Sequence, residues 1–438
     1  MNETSTPAAG GTAAGALHLA LAAATAALLA PVGAAAQTPA ATPWQVDSAL
    51  LLYNESGGRV RAVEPVVSAR RADGNGRTLG LKLTLDSLTG ASPNGAAPQP
   101  TAQTFTSPSG GAGYSTPAGQ LPLDPSFKDS RVAFSGNLET PLGTDLRLSS
   151  GASFSSEYDF KSLSVNAALA RDFNDRNSTL SLGLAFEFDR INPVGGRPAG
   201  LTPAFGDVAA RPSNDTRNVT DLLLGFTQVM SRRWLTQLNL GVGRGSGDHS
   251  DPYKVLSVVD GGTGLVTGSR YVHESRPDSR TRTSVFWQNK LHLTEDVVDV
   301  SYRYYRDDWG IHAHTLDARY RWELAGGMHL EPHVRAYRQT AADFWRGWLV
   351  EGRDWSSANA STTLRSASAD QRLGAFSDRT LGLKFGMPLG PGQEFTLRVE
   401  SYRQTFKKPA NAPGVLQSLD LAPALRATTL VAGYSLAF

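Results

Sequence analysis

The chain has 438 residues with no cysteine, 44 glycines, 40% apolar and 19% charged residues, and 42 basic against 40 acidic side chains. The missing thiols exclude a disulfide scaffold and a cysteine-ligated zinc or iron-sulfur centre, and the balanced charge offers no basic stripe to nucleic acid. Beyond residue 36 no stretch approaches the roughly 20 unbroken apolar residues of a membrane helix, so a helical membrane protein is excluded too. A membrane protein whose apolar residues are interleaved with polar ones survives every one of these tests.

Residues 13–30, AAGALHLALAAATAALLA, are followed by Pro31 and by Ala34, Ala35 and Ala36 before Gln37. A short apolar run ending in small residues is the pattern of a secretory signal peptide, expected over 1–36 with cleavage after Ala36. No Lys or Arg precedes the run, where such leaders normally carry positive charge. The competing reading is a buried or amphipathic helix, but only His18 and Thr25 interrupt the apolar surface, and TPAATP follows. A linker over 37–43 would then lead into one domain, 44–438. Lack of cysteine suits an oxidising compartment, and with none after the cleavage site a lipoprotein is excluded.

From Trp44 onward the dominant pattern is strict alternation, the two-residue period of a strand with two unlike faces. Leu79, Leu81, Leu83 and Leu85 alternate with Gly80, Lys82, Thr84 and Asp86; Leu180, Leu182, Leu184, Phe186 and Phe188 alternate with Ser181, Gly183, Ala185 and Glu187. Leu316, Ala318, Tyr320, Trp322 and Leu324 alternate with Asp317, Arg319, Arg321 and Glu323, and Phe395, Leu397 and Val399 with Thr396, Arg398 and Glu400. About sixteen such segments follow one another. They start near residues 44, 59, 78, 130, 145, 160, 178, 219, 234, 281, 297, 311, 328, 374, 393 and 426.

The connections sort by parity. The even ones read RADGNG, TPLGT, DFNDRN, MSRR, TED, LAGG and PLGPG, all short. The odd ones include every long polar segment: 87–129, 189–218, 245–280, 340–373 and 405–425, with 255–267 a candidate for an extra hairpin. Three odd connections, around Gly57, Asp159 and Asp308, are short. An outer-membrane barrel with short periplasmic turns and long extracellular loops requires this sorting, and a soluble sandwich does not.

A secreted β-sandwich or propeller is the competing fold, because periodicity alone does not say what the apolar face meets. The polar face carries Arg, Lys, Asp and Glu of both signs, as a wet lumen does. Aromatic residues also gather near strand ends, with Trp234, Trp322 and Phe438 toward the turns and Tyr158, Phe188, Tyr302 and Tyr304 toward the loops, like two interfacial girdles. The last strand, RATTLVAGYSLAF, looks like a carboxy-terminal signal for barrel-assembly machinery, with Gly433, Tyr434, Leu436 and Phe438 at matching positions and Val431 where that signal prefers a polar residue.

The chain also resembles a proteobacterial family of outer-membrane β-barrels known only as a domain of unknown function. The resemblance runs from Trp44 to Phe438 and rests on DSLTGASPNGA from Asp86, LPLDPSFKDSRV from Leu121, SSEYDF from Ser155, ARDFNDRNSTLS from Ala170 and NPVGG from Asn192. DPYKVLSVVD from Asp251, DVVDVSYRYYRDDWGIHAHT from Asp296 and LEPHVRAYRQTAADF from Leu330 extend it. It implies fold and location, and brings no activity, substrate or site.

Among chemistry-bearing residues, Asp307, Asp308, His312 and His314 surround one short outer connection, where a rim hydrolase would activate water. His312 and His314 nevertheless share parity with the lipid-facing Leu316 and Tyr320, so ordinary interfacial histidines are favoured over catalysis. Glu331, His333, Arg335, Tyr337 and Gln339 alternate with Leu330, Pro332, Val334 and Ala336, and join Arg303, Arg319 and Arg321 in a basic, histidine-containing lumen wall. That wall could bias a channel toward anions. The plainer reading, which is favoured, pairs its charges with Glu323, Asp317 and Asp299 across strands. GDHSDP from Gly247 and SPNGAAPQ from Ser92 match no metal-loop spacing, and phosphate-loop, esterase-elbow and zincin motifs are missing, so no metal, cofactor or catalytic site is expected.

The reading is therefore an all-β transmembrane antiparallel up-and-down barrel of about sixteen strands in a Gram-negative outer membrane, not an enzyme, most simply a porin-like channel for small solutes. The alternative is a non-conducting anchor or receptor for a surface or periplasmic protein; a rim hydrolase ranks third. Outer-membrane lipid, lipopolysaccharide and the barrel-assembly machinery are the expected partners, and nucleic acid is not. The 87–129 segment, rich in Gly, Pro and Ser, is the one most suited to folding inward.

Overall fold

A computed structural model of the protein describes residues 42–106, 113–194, 196–204 and 215–438; the expected leader over 1–36 lies outside the described residues. Among them the strands are β1 (Gln45–Glu55), β2 (Arg61–Ala72), β3 (Thr78–Pro93), β4 (Gln103–Thr106), β5 (Gly113–Thr116), β6 (Leu123–Pro141), β7 (Leu146–Ser156), β8 (Phe160–Phe173), β9 (Ser178–Ile191), β10 (Asp215–Ser231) and β11 (Trp234–Gly247). There follow β12 (Val255–Val259), β13 (Val266–His273), β14 (Ser279–His292), β15 (Val297–Asp307), β16 (His312–Glu323), β17 (His329–Gln339), β18 (Leu349–Val350), β19 (Phe376–Gly390), β20 (Gln393–Phe406) and β21 (Leu425–Ala437).

Sixteen of these close into one antiparallel barrel in the order β1-β2-β3-β6-β7-β8-β9-β10-β11-β14-β15-β16-β17-β19-β20-β21. Closure runs from Gln45↔Ala437 to Glu55↔Ala427, and the Phe438 amide donates to the Trp44 carbonyl at 2.9 Å. No backbone edge is left in the ring, which lipid demands because it offers unpaired amides no partner. No described helix is long and apolar enough to cross a membrane, a test that does not bear on strands.

The two faces invert the ordering of a water-soluble protein. Leu316, Leu381, Val334 and Phe134 are half or more exposed, with Leu381 at 61%, and equivalent exposed Leu, Val and Phe recur around the ring. On the opposite face Glu187, Asp189, Gln237 and Asn239 are nearly inaccessible, Glu187 at 3%. A sandwich would do the reverse, so the dry-core alternative fails on the barrel itself. Each outward Leu, Val or Phe transferred from water to hydrocarbon stabilises the barrel by about 1.5–3 kcal/mol.

Turns at one end are tight for local reasons. In RADGNG, Asp73 Oδ1 accepts from the amides of Asn75 at 2.8 Å and Arg77 at 2.9 Å, and Gly76 takes φ +75°. The dry cores lie at the other end, in the long connections. Leu201, Leu256, Val258, Val272, Leu349, Trp355, Ala367 and Ala369 form one, and Trp309, Ile311, Ala342, Phe344 and Leu373 another. The hairpin anticipated around 255–267 is present as β12 and β13, and β18 pairs with β12 in parallel through Val258↔Leu349.

Candidate functional site

The loops at this end form a cap over the barrel mouth, as ring positions require. A third cluster joins Ala97, Val259, Trp348 and Leu416, one residue from each of four connections. The β3-β6, β11-β14 and β20-β21 connections leave the ring six, six and four strands apart. Segments rooted on three sides can meet in one packed cluster only across the opening. Three hydrogen bonds tie the meeting point: the Ala97 amide donates to Ser257 Oγ at 2.9 Å, the Val266 amide to Gln99 Oε1 at 3.2 Å, and the Val415 amide to the Thr263 carbonyl at 2.9 Å. Residues 94–106 and 113–122 thus join the cap, as β4 and β5 with their flanks, against the β12-β13 hairpin.

Ionic contacts lock two of these loops together. Arg276 Nε lies 2.6 Å from Glu274 Oε1, and its Nη2 lies 2.9 Å from Asp370 Oδ2. Arg372 Nη2 reaches Asp251 Oδ2 at 2.9 Å and also pairs with Asp370. Burial alone pushes the Asp370 carboxyl up, but Arg372 and Arg276 hold it well below the usual carboxylate range, whereas burial raises Glu274 despite Arg276. His249 lies edge-on to Trp309 at 5.5 Å; burial, together with Arg217, Arg280 and Arg276, lowers its imidazole to about 3. In the same cap a cleft of about 340 Å³ is lined by Trp345, Arg346, Trp348, Arg353, Pro409 and Asn411.

Below the cap, the six residues expected to line the lumen share the inward face of three consecutive strands, Arg303 on β15, Arg319 and Arg321 on β16, and Glu331, His333 and Arg335 on β17. One cross-strand row reads Asp299, Arg319, His333, Gly382, Glu400. His333 spans it, with Nε2 3.0 Å from Asp317 Oδ2 and Nδ1 3.0 Å from Glu400 Oε1. A carboxylate can only accept, so each bond uses a ring N–H. Glu400 reaches over β19 because residue 382 is glycine: a Cβ there would lie 3.0 Å from Glu400 Cγ. The sequence pattern missed Glu400 and Gly382 as partners of His333, since only strand register brings them together.

The remaining charges sort themselves. Arg319 Nε lies 3.5 Å from Asp317 Oδ1, and Arg321 bonds Glu323. Both contacts run along one strand, two residues apart, while Asp317 also pairs across strands with His333. Asp299 does look across, to Gln288 at 2.7 Å and Lys290 at 3.4 Å. Glu331 lies 3.9 Å from Arg398. Arg303 stacks 5.3 Å from the Phe286 ring centroid. Among the described residues Arg303 and Arg335 make no ion pair.

The rim carboxylates and histidines do not assemble into a dyad. Asp307 accepts from Arg280, Tyr305 and the Trp309 and Ile311 amides, and Asp308 from the Thr281 amide. His312 and His314 face outward and bond Tyr304 OH at 2.9 Å and Tyr302 OH at 2.7 Å. In GDHSDP, Asp248 pairs with Arg197 and Asp251 with Arg372, and no cluster of metal-ligating side chains occurs among the described residues. On β21, Tyr434 OH donates to Gln393 Oε1 at 3.1 Å, Phe438 is 66% exposed, and a Cβ at Gly433 would lie 2.6 Å from Thr396 Oγ1.

Residues 18–436 match the family described as "Protein of unknown function (DUF3570)". The chain belongs to this family. No curated protein matches it. Among solved structures it is similar to Pseudomonas aeruginosa OccK2 (OpdF) in complex with glucuronate, at 11% identity over 91% of this chain and 98% of that one, TM-score 0.39. Pseudomonas aeruginosa OccD3 (OpdP) gives 10%, 93%, 93% and 0.40, and a bacterial polysaccharide outer membrane secretin 9%, 91%, 99% and 0.41. Likenesses this distant carry no inference about what this family member binds or moves.

Proposed function

We propose that this family member is an outer-membrane channel for small solutes, exported by a cleaved leader, with its turn end in the periplasm and its capped end outside. The observation that carries the reading is the inverted barrel: a closed ring of sixteen strands with lipid-compatible side chains outside and charged ones inside. A barrel of this size has room for a water-filled lumen. Arg303, Arg319, Arg321, Glu331, His333 and Arg335 are read as lumen-lining. The two arginines without ion pairs, Arg303 and Arg335, are the ones whose field reaches a passing ion, giving a bias toward anions. The outward Tyr434, Leu436 and Phe438, with Gly433 between β1 and β20, are assigned the assembly signal. No catalytic role is assigned, because the rim acids are committed to backbone and arginine partners.

Reconstitution in a planar bilayer tests the reading: stepwise conductance is expected, with anions favoured, and Arg303→Glu with Arg335→Glu should shift the reversal potential toward cations more than the same change at the ion-paired Arg319 and Arg321. A silent bilayer with verified insertion would overturn the channel. The packed cap across the mouth favours a second reading, a receptor or anchor whose cap engages a surface partner. That reading predicts no conductance even after the 255–273 hairpin is deleted, whereas the channel reading predicts that this deletion raises conductance.

A further inference from the structure

The outward face of β15, β16, β17, β19, β20 and β21 changes character at its loop end. Ascending β19, the exposed Leu381 is followed on the same face by Arg379; on β20 Val399 and Ser401 are followed by Arg403; on β21 Leu430 and Thr428 by Arg426. These three arginines stand in one row, Arg379 directly opposite Arg403 and Arg403 directly opposite Arg426. Arg338 on β17 stands opposite His314 and Ser377, and Arg306 on β15 opposite His312. All five are exposed, and none of their guanidinium groups has an ion-pair or hydrogen-bond partner among the described residues.

Like charges directly opposite in an antiparallel ladder repel, and a row of three doubles that cost. Every relief available elsewhere in the barrel is missing here. On the outward face of these six strands the alternation places apolar and aromatic residues with Pro, Met, Gln, Ser, Thr, Arg and His, but no Asp or Glu. Carboxylates on the same strands, such as Asp307, Asp317, Asp378 and Glu400, fall on the inward parity. The row is therefore neutralised from outside the protein. Its height narrows the source, because it begins within one or two pleats of the apolar band and so lies at headgroup level. Guanidinium forks match phosphate oxygens bidentately, and arginines one strand spacing apart can hold adjacent phosphates of one large headgroup.

We propose that Arg379, Arg403 and Arg426, flanked by Arg338 and Arg306, form a docking site for the phosphate groups of lipopolysaccharide in the outer leaflet. This rests on the outer-membrane reading and its orientation, with the loop end outside, and it is independent of conduction. The cap side of the barrel is thereby tethered to the lipid along β19, β20 and β21, on either side of two loops that build the cap.

The test uses full-length protein, delipidated in a non-ionic detergent and shown to be folded by heat-modifiable migration. Native mass spectrometry with added lipopolysaccharide should show a retained lipid, and the triple change Arg379→Gln, Arg403→Gln, Arg426→Gln should weaken retention at least tenfold while the corresponding Lys variant keeps most of it. Should the triple variant fail to assemble, Arg403→Gln alone, which removes both like-charge contacts, is read in the same way. Dephosphorylated lipopolysaccharide should not be retained, and millimolar inorganic phosphate should not displace the lipid. Equal retention by the Gln variant or of the dephosphorylated lipid, displacement by inorganic phosphate, or equal retention of phosphatidylglycerol would each overturn the proposal. Without added lipid the Gln variants should be at least as heat-resistant as the parent; lower resistance would assign the arginines a structural role and overturn it too. Conductance in the parent without lipid retention sinks this inference alone, and retention with a silent bilayer sinks the channel alone.

Discussion

Removing the guanidinium of Arg276 should release the cap from the mouth. Arg276 joins the 248–278 loop to the 340–375 loop, with Nε 2.6 Å from Glu274 and Nη2 2.9 Å from Asp370, all three buried or nearly so. Deleting one member of a buried ion pair costs about 3–5 kcal/mol, because its partners stay behind uncompensated. The lower end applies here. Asp370 keeps Arg372, and burial already raises the Glu274 carboxyl, which lowers the cost of leaving it without Arg276. About 3 kcal/mol corresponds to roughly a hundredfold rise in the open fraction of the cap. Trypsin cleavage on intact cells reads this out, since cleavage follows the open population when opening and closing are fast, and the cap offers Arg270, Arg353 and Arg365 as sites. Arg276→Gln should be cut about two orders of magnitude faster while the barrel stays heat-modifiable. Replacing Arg276 and Glu274 together by apolar residues of similar volume, with Asp370 left to Arg372, should restore part of the protection. A single variant as resistant as the parent would refute the ionic lock.

Two further predictions follow from the same geometry. The folded cap keeps His249 neutral down to about pH 3, while the opened loop protonates near pH 6.5, so between those values the open form binds more protons and cap stability falls as pH drops. Discounted for partial exposure, the slope is about 1 kcal/mol per pH unit; proteolysis should therefore accelerate between pH 7 and pH 5, His249→Asn should abolish the acceleration, and parallel pH profiles would refute it. Leu316, outward on β16 and 51% exposed, should tolerate no charge if it faces lipid: Leu316→Arg should cost about 2–4 kcal/mol in urea unfolding from liposomes, and an unchanged midpoint would place that face in water.

How much of this was legible depends on what each face meets. Alternation marks a strand only where one side is lipid and the other is wet. The starts read at 78, 160, 178, 234, 297 and 393 coincide with Thr78, Phe160, Ser178, Trp234, Val297 and Gln393. Where hairpins rise past the apolar band both sides become polar and the period fades. The start expected near 130 lies at Leu123, through LDPSFKDS, and the one near 219 lies at Asp215. The cap had no period to read. Its core takes Leu201, Leu256 and the pair Leu349 and Trp355 from three separate connections, and long-range closure, not local pattern, puts them together. In the wall, the strand parity of Arg319 and His333 could be read from the sequence, but the three-strand bridge from Asp317 through His333 to Glu400 needed the register of β17 against β19 and β20.

Some of the 44 glycines have a specific reason in that register. At Gly243 on β11, a Cβ would lie 2.1 Å from Asp221 Oδ1 and 2.6 Å from Arg282 Nε, the two ends of an ion pair joining β10 to β14 across β11. Gly382 makes the same allowance on β19 for His333 and Glu400, and Gly225 on β10 for Ser181 and Asn239. At Gly243 and Gly382 the middle strand lacks an inward side chain so that its two neighbours meet above it, and at Gly225 the same gap takes the Ser181 and Asn239 side chains. Pairing between next-but-one strands spends a lumen charge against the wall without projecting it into the opening, and it braces three strands at once. A chain with nearly equal numbers of acids and bases can in this way keep most of its inward charges neutralised, leaving a few, such as Arg303 and Arg335, to set the field along the axis.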